Sequence, residues 1–387
     1  MSGRRPGLLS LGVGLAAAGV GAAIGLAAER AAVTRVRPRR GSGAEDLGQV
    51  HAPPVPVRTQ DGVLLHVEVD QADPELSAAG ADDVTIVLSH GYALSLDSWH
   101  YQRLALRGRY RLVLWDQRGH GRSASGAVGS STIDQVGADL GAVIDTVAPT
   151  GRLVLLGHSM GGMTVMSLAQ QRPELFAERV VGVALVSTSA GGLRDSDLGI
   201  AGLGKLVLRL GPLAVRVLAR QPVLVERGRK LGSDLESVLV KHYSYASDVS
   251  PELVQFTARM IAATRLEVIS DFLPSFSGHD KREALEAMQE LDVLVAVGDG
   301  DLLTPEEYSE EIARRLPAAE HVVIGAGGHL VMLEHPDEVS ALLAGLIDRA
   351  LRRRRAGHAG PTRGIRRTRP VRRSVTPRRG RRDDGAA

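Results

Sequence analysis

One stretch decides the fold, Arg152-Leu-Val-Leu-Leu-Gly-His-Ser159-Met-Gly-Gly-Met-Thr-Val-Met-Ser-Leu-Ala169. Its beginning is a short apolar run typical of a buried strand, and its end from Met163 has helical character. The two halves are joined by a Gly-x-Ser-x-Gly turn. A turn this tight forces its serine into strained backbone angles, and the flanking glycines make room for close backbone approach. The Ser159 hydroxyl is then lifted above the end of the strand, which makes it a candidate nucleophile.

Similar apolar runs recur along the chain, separated by segments of helix length. Near-continuous apolar runs of this kind indicate strands of a parallel sheet that is covered on both faces. The segment from 55 to 69 predicts an antiparallel hairpin at the edge of that sheet. The expected fold class is therefore α/β. The runs begin at Val84, Arg111, Arg152, Val180, Asp292 and His321.

The rhythm of strands and helices is interrupted between residues 191 and 286, where the sequence is helical in character and has no convincing strand. We interpret this insertion as a helical cap. Its part 205–230 is apolar and basic, which fits either a lid that binds an interface or a helix that packs on the core. The predicted organisation is an N-terminal segment 1–40, a core 41–190, the cap 191–286, a second core segment 287–351 and a tail 352–387.

Composition excludes several classes of protein. The chain has 387 residues, of which 44% are hydrophobic and 24% charged, values typical of globular proteins and not of wholesale disorder. The length suits one large domain with tails. The absence of cysteine excludes a disulfide framework, a thiolate metal site and a cysteine nucleophile. No metal or organic cofactor is expected.

The net charge of +3 conceals a strong asymmetry. Residues 1–40 carry +6 and residues 352–387 carry +12, so the segment between them carries −15. The C-terminal segment is rich in arginine and nearly free of apolar residues, which predicts disorder. It could touch anionic lipid or remain solvated without a specific partner. A nucleic-acid partner is not expected, because no aromatic residue is interleaved with the arginines.

Residues 7–28 are uncharged and long enough to cross a bilayer. We predict a single membrane anchor here, with a cleaved signal peptide of a secreted protein, or a soluble Ala/Gly-rich helix, as alternatives. The excess of arginine after this segment favours a cytoplasmic catalytic domain by the charge-bias rule. The oligomeric state is left open by the sequence.

A serine hydroxyl is a weak nucleophile at neutral pH, so it needs a base and a carboxylate that orients the base. Asp299 and Asp301 follow one strand-like run, and the glycine-rich loop that ends in His329 follows the last one. Both loops are expected at the same sheet edge as Ser159. His329 is the preferred base and Asp301 the preferred acid, with Asp299 as the alternative. Other histidines considered are His120, His158 and His335, of which His158 is interpreted as a packed residue of the turn.

A fourth element is the turn Ser89-His-Gly-Tyr92, directly after a strand-like run. The oxyanion of an acyl-transfer reaction needs two backbone N–H donors aimed at one point. The N–H of Met160, after the serine, is one candidate. The N–H of Tyr92 is the second, with His90 and Gly91 shaping the turn.

Taken together, these motifs resemble those of the α/β-hydrolase superfamily over about residues 55–350. The resemblance implies an eight-stranded, mostly parallel sheet with helices on both faces and a helical cap after the sixth strand. It also implies Ser159 as nucleophile, His329 as base, Asp301 as its orienting acid, and Tyr92 and Met160 as oxyanion donors. The motifs are Ser89-His-Gly-Tyr92, Trp115-Asp-Gln-Arg-Gly-His-Gly-Arg-Ser123, Gly157-His-Ser-Met-Gly-Gly162, Gly298-Asp-Gly-Asp-Leu-Leu-Thr-Pro305 and Gly327-Gly-His329.

Within the superfamily, the sequence is similar to the serine esterase and lipase-like members, in the monoacylglycerol lipase and haloperoxidase-like branch. A serine in the turn argues against epoxide hydrolases and haloalkane dehalogenases, which use aspartate there. The resemblance implies hydrolysis of carboxylic esters, of acyl-chain or small lipophilic type. The alternatives are a C–C bond hydrolase or haloperoxidase-like hydrolase with the same residues, and a non-enzymatic receptor that binds a small molecule.

Overall fold

A single mixed sheet organises the computed structural model, which describes residues 47–78, 83–193, 233–355 and 371–375. Within these ranges the sheet has nine strands in the order β1-β2-β4-β3-β5-β6-β7-β8-β9. The strands are β1 Pro54–Arg58, β2 Leu64–Asp70, β3 Val84–Ser89, β4 Arg111–Trp115, β5 Arg152–His158, β6 Val180–Val186, β7 Asp292–Gly298, β8 Glu320–Ile324 and β9 Val371–Val375.

Strands β3 to β9 run parallel to one another, whereas β2 pairs with β1 and β4 in antiparallel fashion. The six runs identified in the sequence are β3 to β8, and β1 and β2 form the predicted edge hairpin. Strands β1 to β8 thereby confirm the predicted eight-stranded, mostly parallel sheet, to which β9 adds a further strand. β3 and β6 are buried along their whole length, as strands between two helical layers must be.

Helices cover both faces of this sheet and bury two apolar cores. Alternate strand residues point to opposite faces: Leu155 packs into the core beneath the helices that follow β4 and β5, and Val154 into the other core. The helices are α1 His100–Leu106, α2 Ile133–Val147, α3 Met160–Gln171, α4 Pro173–Glu178, α5 Ser233–Ser244, α6 Pro251–Ala263, α7 Leu266–Ser277, α8 Glu306–Arg315, α9 Val331–Glu334 and α10 Pro336–Arg355.

The tail differs from its prediction in two places. Helix α10 continues to Arg355, and residues 371–375 form β9, which pairs in parallel with β8. Disorder was predicted for residues 352–387, of which the structure describes 352–355, in α10, and 371–375, in β9. The physical reason is that the outer edge of β8 offers unpaired backbone N–H and C=O groups, which accept a strand whatever its side chains.

The inserted cap follows the sixth strand, as predicted, and its described part consists of α5, α6 and α7. Its two ends are tied together at the sheet, because Gly191 forms an antiparallel bridge with Asp280 and the Lys281 N–H donates to the Ala190 carbonyl at 2.6 Å. The apolar, basic segment 205–230 lies outside the described residues.

None of the helices in the described ranges combines the length and the apolar character that a membrane span requires. The segment 7–28, predicted as a membrane anchor, lies outside those ranges.

Candidate active site

Ser159 occupies a sharp turn between the end of β5 and the start of α3. Its backbone angles are φ 52° and ψ −119°, a conformation that is strained for any residue with a side chain. Hydrogen bonds on both sides hold the strained residue in place. Its N–H donates to the Val186 carbonyl at 2.9 Å, and its carbonyl accepts from the Thr188 hydroxyl at 2.7 Å. The turn therefore presents the half-buried Ser159 side chain at the carboxyl edge of the sheet.

The structure brings Ser159 together with the predicted base and acid. His329 Nε2 lies 2.9 Å from Ser159 Oγ, and His329 Nδ1 lies 3.0 Å from both carboxylate oxygens of Asp301. The two residues come from the loops after β8 and β7, which end at the same sheet edge as β5. In the tautomer that satisfies both contacts, the Nδ1–H donates to Asp301 and Nε2 accepts from the serine hydroxyl.

Asp301 is a buried carboxylate that is held by its own loop. It accepts hydrogen bonds from the Leu303 and Thr304 N–H groups at 2.9 Å and from the Thr304 hydroxyl at 2.8 Å. Burial alone would raise its pKa, but the charge and hydrogen bond of His329 and the bonds from Thr304 outweigh this and lower it. Asp301 is thus charged at neutral pH. Asp299, the alternative acid, has an exposed side chain and no hydrogen bond to His329 within the described part.

None of the other histidines considered as bases has a described hydrogen bond to the Ser159 hydroxyl. The His158 ring donates from Nε2 to the His329 carbonyl at 2.9 Å, so it packs beneath the base as the sequence suggested. His120 bonds through Nδ1 to the Arg118 carbonyl at 3.0 Å, and His335 through Nε2 to the Ala326 carbonyl at 2.9 Å. Among the histidines that the structure describes, His329 is the one within hydrogen-bond distance of Ser159 Oγ.

The two predicted oxyanion donors are neighbours of residues at the serine: Met160 follows Ser159 in the chain, and Tyr92 follows Gly91, which approaches Ser159. Met160 is the first residue of α3, where the N–H has no acceptor in the helix and the helix dipole is positive. The turn after β3 approaches so closely that a Cβ on Gly91 would lie 3.2 Å from Ser159 Cβ. No described group accepts a hydrogen bond from the N–H of Met160 or of Tyr92. Both remain free to bind an oxyanion.

Sequence reasoning missed what holds the oxyanion turn in place. The Gln117 N–H donates to His90 Nε2 at 2.9 Å, and the Gln117 amide donates to the His90 carbonyl at 2.6 Å. The Gln117 amide oxygen accepts from the Thr164 hydroxyl of α3 at 2.8 Å. Gln117 thus joins the oxyanion turn to helix α3, which directly follows Ser159. The motif 115–123 was identified in the sequence as one of the family motifs, but the sequence did not indicate which partner Gln117 binds.

The Tyr92 side chain was also missed as a link to the cap. Its hydroxyl donates to the Ile269 carbonyl in α7 at 2.6 Å. Its ring centroid lies 6.2 Å from that of Phe272 and 5.0 Å from that of Phe276, both in an edge-on arrangement. One residue therefore offers its N–H at the site and fastens the cap helix with its side chain.

Several buried histidines around the site are neutral in the folded protein. Burial lowers the pKa of His120 to about 4 and that of His158 to about 3, and it holds the pKa of His90 well below its usual value. His279, at the base of the cap, has a pKa lowered by burial to about 4. In the unfolded chain each group titrates near 6.5.

These histidines predict an acid-sensitive fold. As the pH drops from about 6.5 towards 4, the unfolded chain binds protons that the native state does not, so the free energy of unfolding falls by up to roughly 1.4 kcal/mol per pH unit for each histidine. Urea unfolding at pH 7.5, 6.5 and 5.5 measures this fall, which His279→Asn should make shallower. Equal unfolding free energies at all three pH values would contradict the prediction.

Comparisons with known proteins bear on the fold. The sequence profile of the alpha/beta hydrolase fold matches residues 84–336. A curated relative from Pantoea ananatis (strain LMG 20103), named "Putative carbamate hydrolase RutD", is 26% identical over 274 residues, which cover 71% of this chain and 92% of the relative.

Two solved structures share the fold. The malate-bound esterase from Thermogutta terrifontis has a TM-score of 0.59 and 24% identity, and covers 77% of this chain and 99% of its own. The bromoperoxidase from Bacillus anthracis has a TM-score of 0.61 and 21% identity, and the match covers 76% of this chain and 100% of the bromoperoxidase chain. Since the profile match spans well over half of the chain, the protein belongs to the alpha/beta hydrolase fold family.

Proposed function

We propose that the chain is a serine hydrolase that cleaves carboxylic esters, of acyl-chain or small lipophilic type, through an acyl-enzyme on Ser159. The observation that carries the proposal is the hydrogen-bonded series Asp301, His329 and Ser159, with distances of 3.0 and 2.9 Å. A base in contact with a serine, itself oriented by a charged carboxylate, is the arrangement that turns a hydroxyl into a nucleophile at neutral pH.

In the first half of the reaction, the Ser159 oxygen attacks the ester carbonyl carbon while His329 Nε2 takes the hydroxyl proton. The carbonyl oxygen becomes an oxyanion, which the N–H groups of Tyr92 and Met160 stabilise. Asp301 keeps the Nδ1 proton in place and stabilises the imidazolium. The imidazolium then gives its proton to the alcohol oxygen as the C–O bond breaks, so that the alcohol leaves and the acyl group stays on Ser159.

In the second half, a water molecule takes the place of the alcohol. His329 removes a proton from the water as its oxygen attacks the acyl carbon, and the same two N–H groups stabilise the second oxyanion. The bond to the Ser159 oxygen breaks, the serine takes its proton back from His329, and the carboxylic acid leaves. All groups in this cycle belong to the chain, the ester and water.

An apolar substrate is supported by the surroundings of the oxyanion turn. The partly buried rings of Tyr92 and Phe276 pack edge-on next to one of the two proposed donors, whereas Phe272, which also packs against Tyr92, is fully buried in the core. Aromatic side chains bury large apolar areas and favour apolar groups beside them. The proximity of these rings to the site supports esters with an apolar acyl or alcohol part.

Carbamates are a second candidate for the acyl group. The relative from Pantoea ananatis is named as a carbamate hydrolase and matches most of this chain. A carbamate carbonyl would be attacked by Ser159 in the same way, with His329 and Asp301 in the same roles, and only the acyl group left on Ser159 would differ. The C–C bond and haloperoxidase-like hydrolases also use this arrangement. Only the identity of the substrate therefore distinguishes ester, carbamate, C–C bond and haloperoxidase-like hydrolysis.

A substrate panel tests the proposal. The full chain, in mild detergent, is assayed with p-nitrophenyl esters of increasing acyl length and with p-nitrophenyl carbamates. We expect nitrophenol release from esters, with a preference for acyl chains longer than acetyl. A carbamate preferred over every ester would replace the ester proposal by the carbamate one. If no ester or carbamate turns over, the proposal fails and the receptor hypothesis gains support. Saturable ligand binding that is retained in Ser159→Ala would then test the receptor hypothesis.

A further inference from the structure

Glu334, the last residue of α9, binds three backbone N–H groups from two separate segments. Its Oε2 accepts from the Gly328 N–H at 2.5 Å, next to His329 in the chain. Its Oε1 accepts from the N–H groups of Ala246 and Ser247 at 2.9 and 2.5 Å. The last two residues belong to the cap, in the connection between α5 and α6. A single half-buried carboxylate thus ties the loop of the proposed base to the cap.

The two segments that Glu334 joins are in direct contact. A Cβ on Gly328 would lie 2.7 Å from the Ala246 nitrogen, the Ser244 oxygen and the Tyr245 Cα, so the His329 loop lies flat against the cap connection 244–247. The Leu330 N–H also donates to the Ser244 carbonyl at 2.9 Å. The cap connection therefore forms one wall of the loop that carries His329.

The loop of the acid meets the same cap connection. A Cβ on Gly300 would lie 2.6 Å from Ala246 Cβ, and the Gly300 N–H donates to the Gly327 carbonyl at 2.9 Å. A displacement of the cap connection would thus disturb the loops of Asp301 and His329 together. Within the described part, Glu334 is the charged group that bonds to both the cap connection and the His329 loop.

We propose that Glu334 is a positioning residue for the base. It positions His329 by holding the cap connection 244–247 against the His329 loop. Hydrogen bonds from N–H groups to a carboxylate are stronger than neutral ones, so three of them define the distance between the two segments well. This proposal rests on the proposed function, because positioning of His329 has kinetic meaning only if His329 is the base.

The substitution Glu334→Gln tests the clamp. Its amide keeps the size of the side chain but replaces one acceptor oxygen by an NH₂ donor, which cannot bind an N–H. Either the Gly328 contact or the cap contact is then lost. We expect kcat for the best ester to fall about 10–100-fold, because an error of about 1 Å in the position of a catalytic group costs this much. The KM should stay within about threefold.

A spectroscopic signal reports on the same geometry without substrate. The His329 Nδ1–H bonded to Asp301 should give a low-field proton NMR resonance, identified by its absence in His329→Gln. We expect this resonance to shift or broaden in Glu334→Gln. The matched control is Asp337→Asn, which removes an exposed carboxylate three residues along the chain and should leave kcat and the resonance unchanged.

Three results would overturn the proposal: a lower melting temperature with unchanged kcat and resonance, a rise in KM alone, or equal behaviour of Glu334→Gln and Asp337→Asn. If Glu334→Gln does not fold, Glu334→Asp, which keeps the charge on a shorter side chain, takes its place with the same expected losses. A wild-type protein with no turnover would refute the proposed function, whereas the resonance would still decide whether Glu334 positions His329.

Discussion

Replacing Ser159 with alanine is expected to lower kcat for esters by about 10⁴-fold or more, with the fold intact. The variant keeps the Cβ and the turn but has no oxygen to form the acyl-enzyme. What remains is the modest catalysis by the oxyanion donors acting on attack by water. Steady-state kinetics with the best p-nitrophenyl ester measures the loss.

Ser98→Ala is the matched control for this substitution, because Ser98 is buried and its hydroxyl has no hydrogen-bond partner among the described residues. It should keep wild-type kcat. If Ser159→Ala retained more than about a tenth of the wild-type kcat, nucleophilic catalysis by Ser159 would be ruled out.

Asp301→Asn is expected to cost about 10³–10⁴-fold in kcat. The asparagine amide would donate a hydrogen bond to His329 Nδ1, so the imidazole would carry its proton on Nε2. That nitrogen could then no longer accept the proton of Ser159. The bonds from Leu303 and Thr304 can still be made to the remaining carbonyl oxygen, so the loop should stay folded.

Asp299→Asn is the matched control for the acid. Asp299 precedes Asp301 by two residues, but its side chain is exposed and makes no described bond to the base. We expect wild-type activity in this variant. A loss of activity in Asp299→Asn with full activity in Asp301→Asn would reverse the assignment of the acid.

The position of the site could be predicted from the sequence because of how parallel sheets are built. Every strand β3 to β8 ends at one edge, so polar residues in the loops after β5, β7 and β8 must lie near one another. Ser159, Asp301 and His329 are each the reactive residue of a glycine-containing loop at such an end. To predict that these three residues lie close together, it was enough to know that the strands are parallel, and no individual contact had to be known.

The residues that support the site could not be predicted in this way. Gln117 binds His90, Tyr92 binds Ile269 and Glu334 binds Ala246, contacts between residues far apart in the chain that follow no hydrophobic period. The contacts of Tyr92 and Glu334 depend on how the cap is placed over the sheet, and that of Gln117 on how the turns after β3 and β4 pack together. A single sequence shows the hydrophobic period of each helix or strand, but it does not show how these elements pack against one another.

Strand β9 shows a second limit of prediction from composition. Its residues Val371-Arg-Arg-Ser-Val375 lie in an arginine-rich tail, and such a composition cannot bury a core. Pairing with the edge of β8 requires backbone hydrogen bonds and no apolar face. Composition describes what a segment can bury, and therefore misses a strand that is held by its backbone.

The central claim is that Ser159 is a nucleophile activated by His329, and covalent labelling tests it most directly. The full chain is treated with a fluorophosphonate, and the modified peptide is identified by mass spectrometry. We predict one adduct, on Ser159, that is absent in Ser159→Ala. In His329→Gln the adduct should form at least about 10³-fold more slowly, because loss of such a base typically lowers the rate by about 10⁴–10⁶-fold. An unlabelled wild-type protein, or an adduct on another residue, would contradict the account.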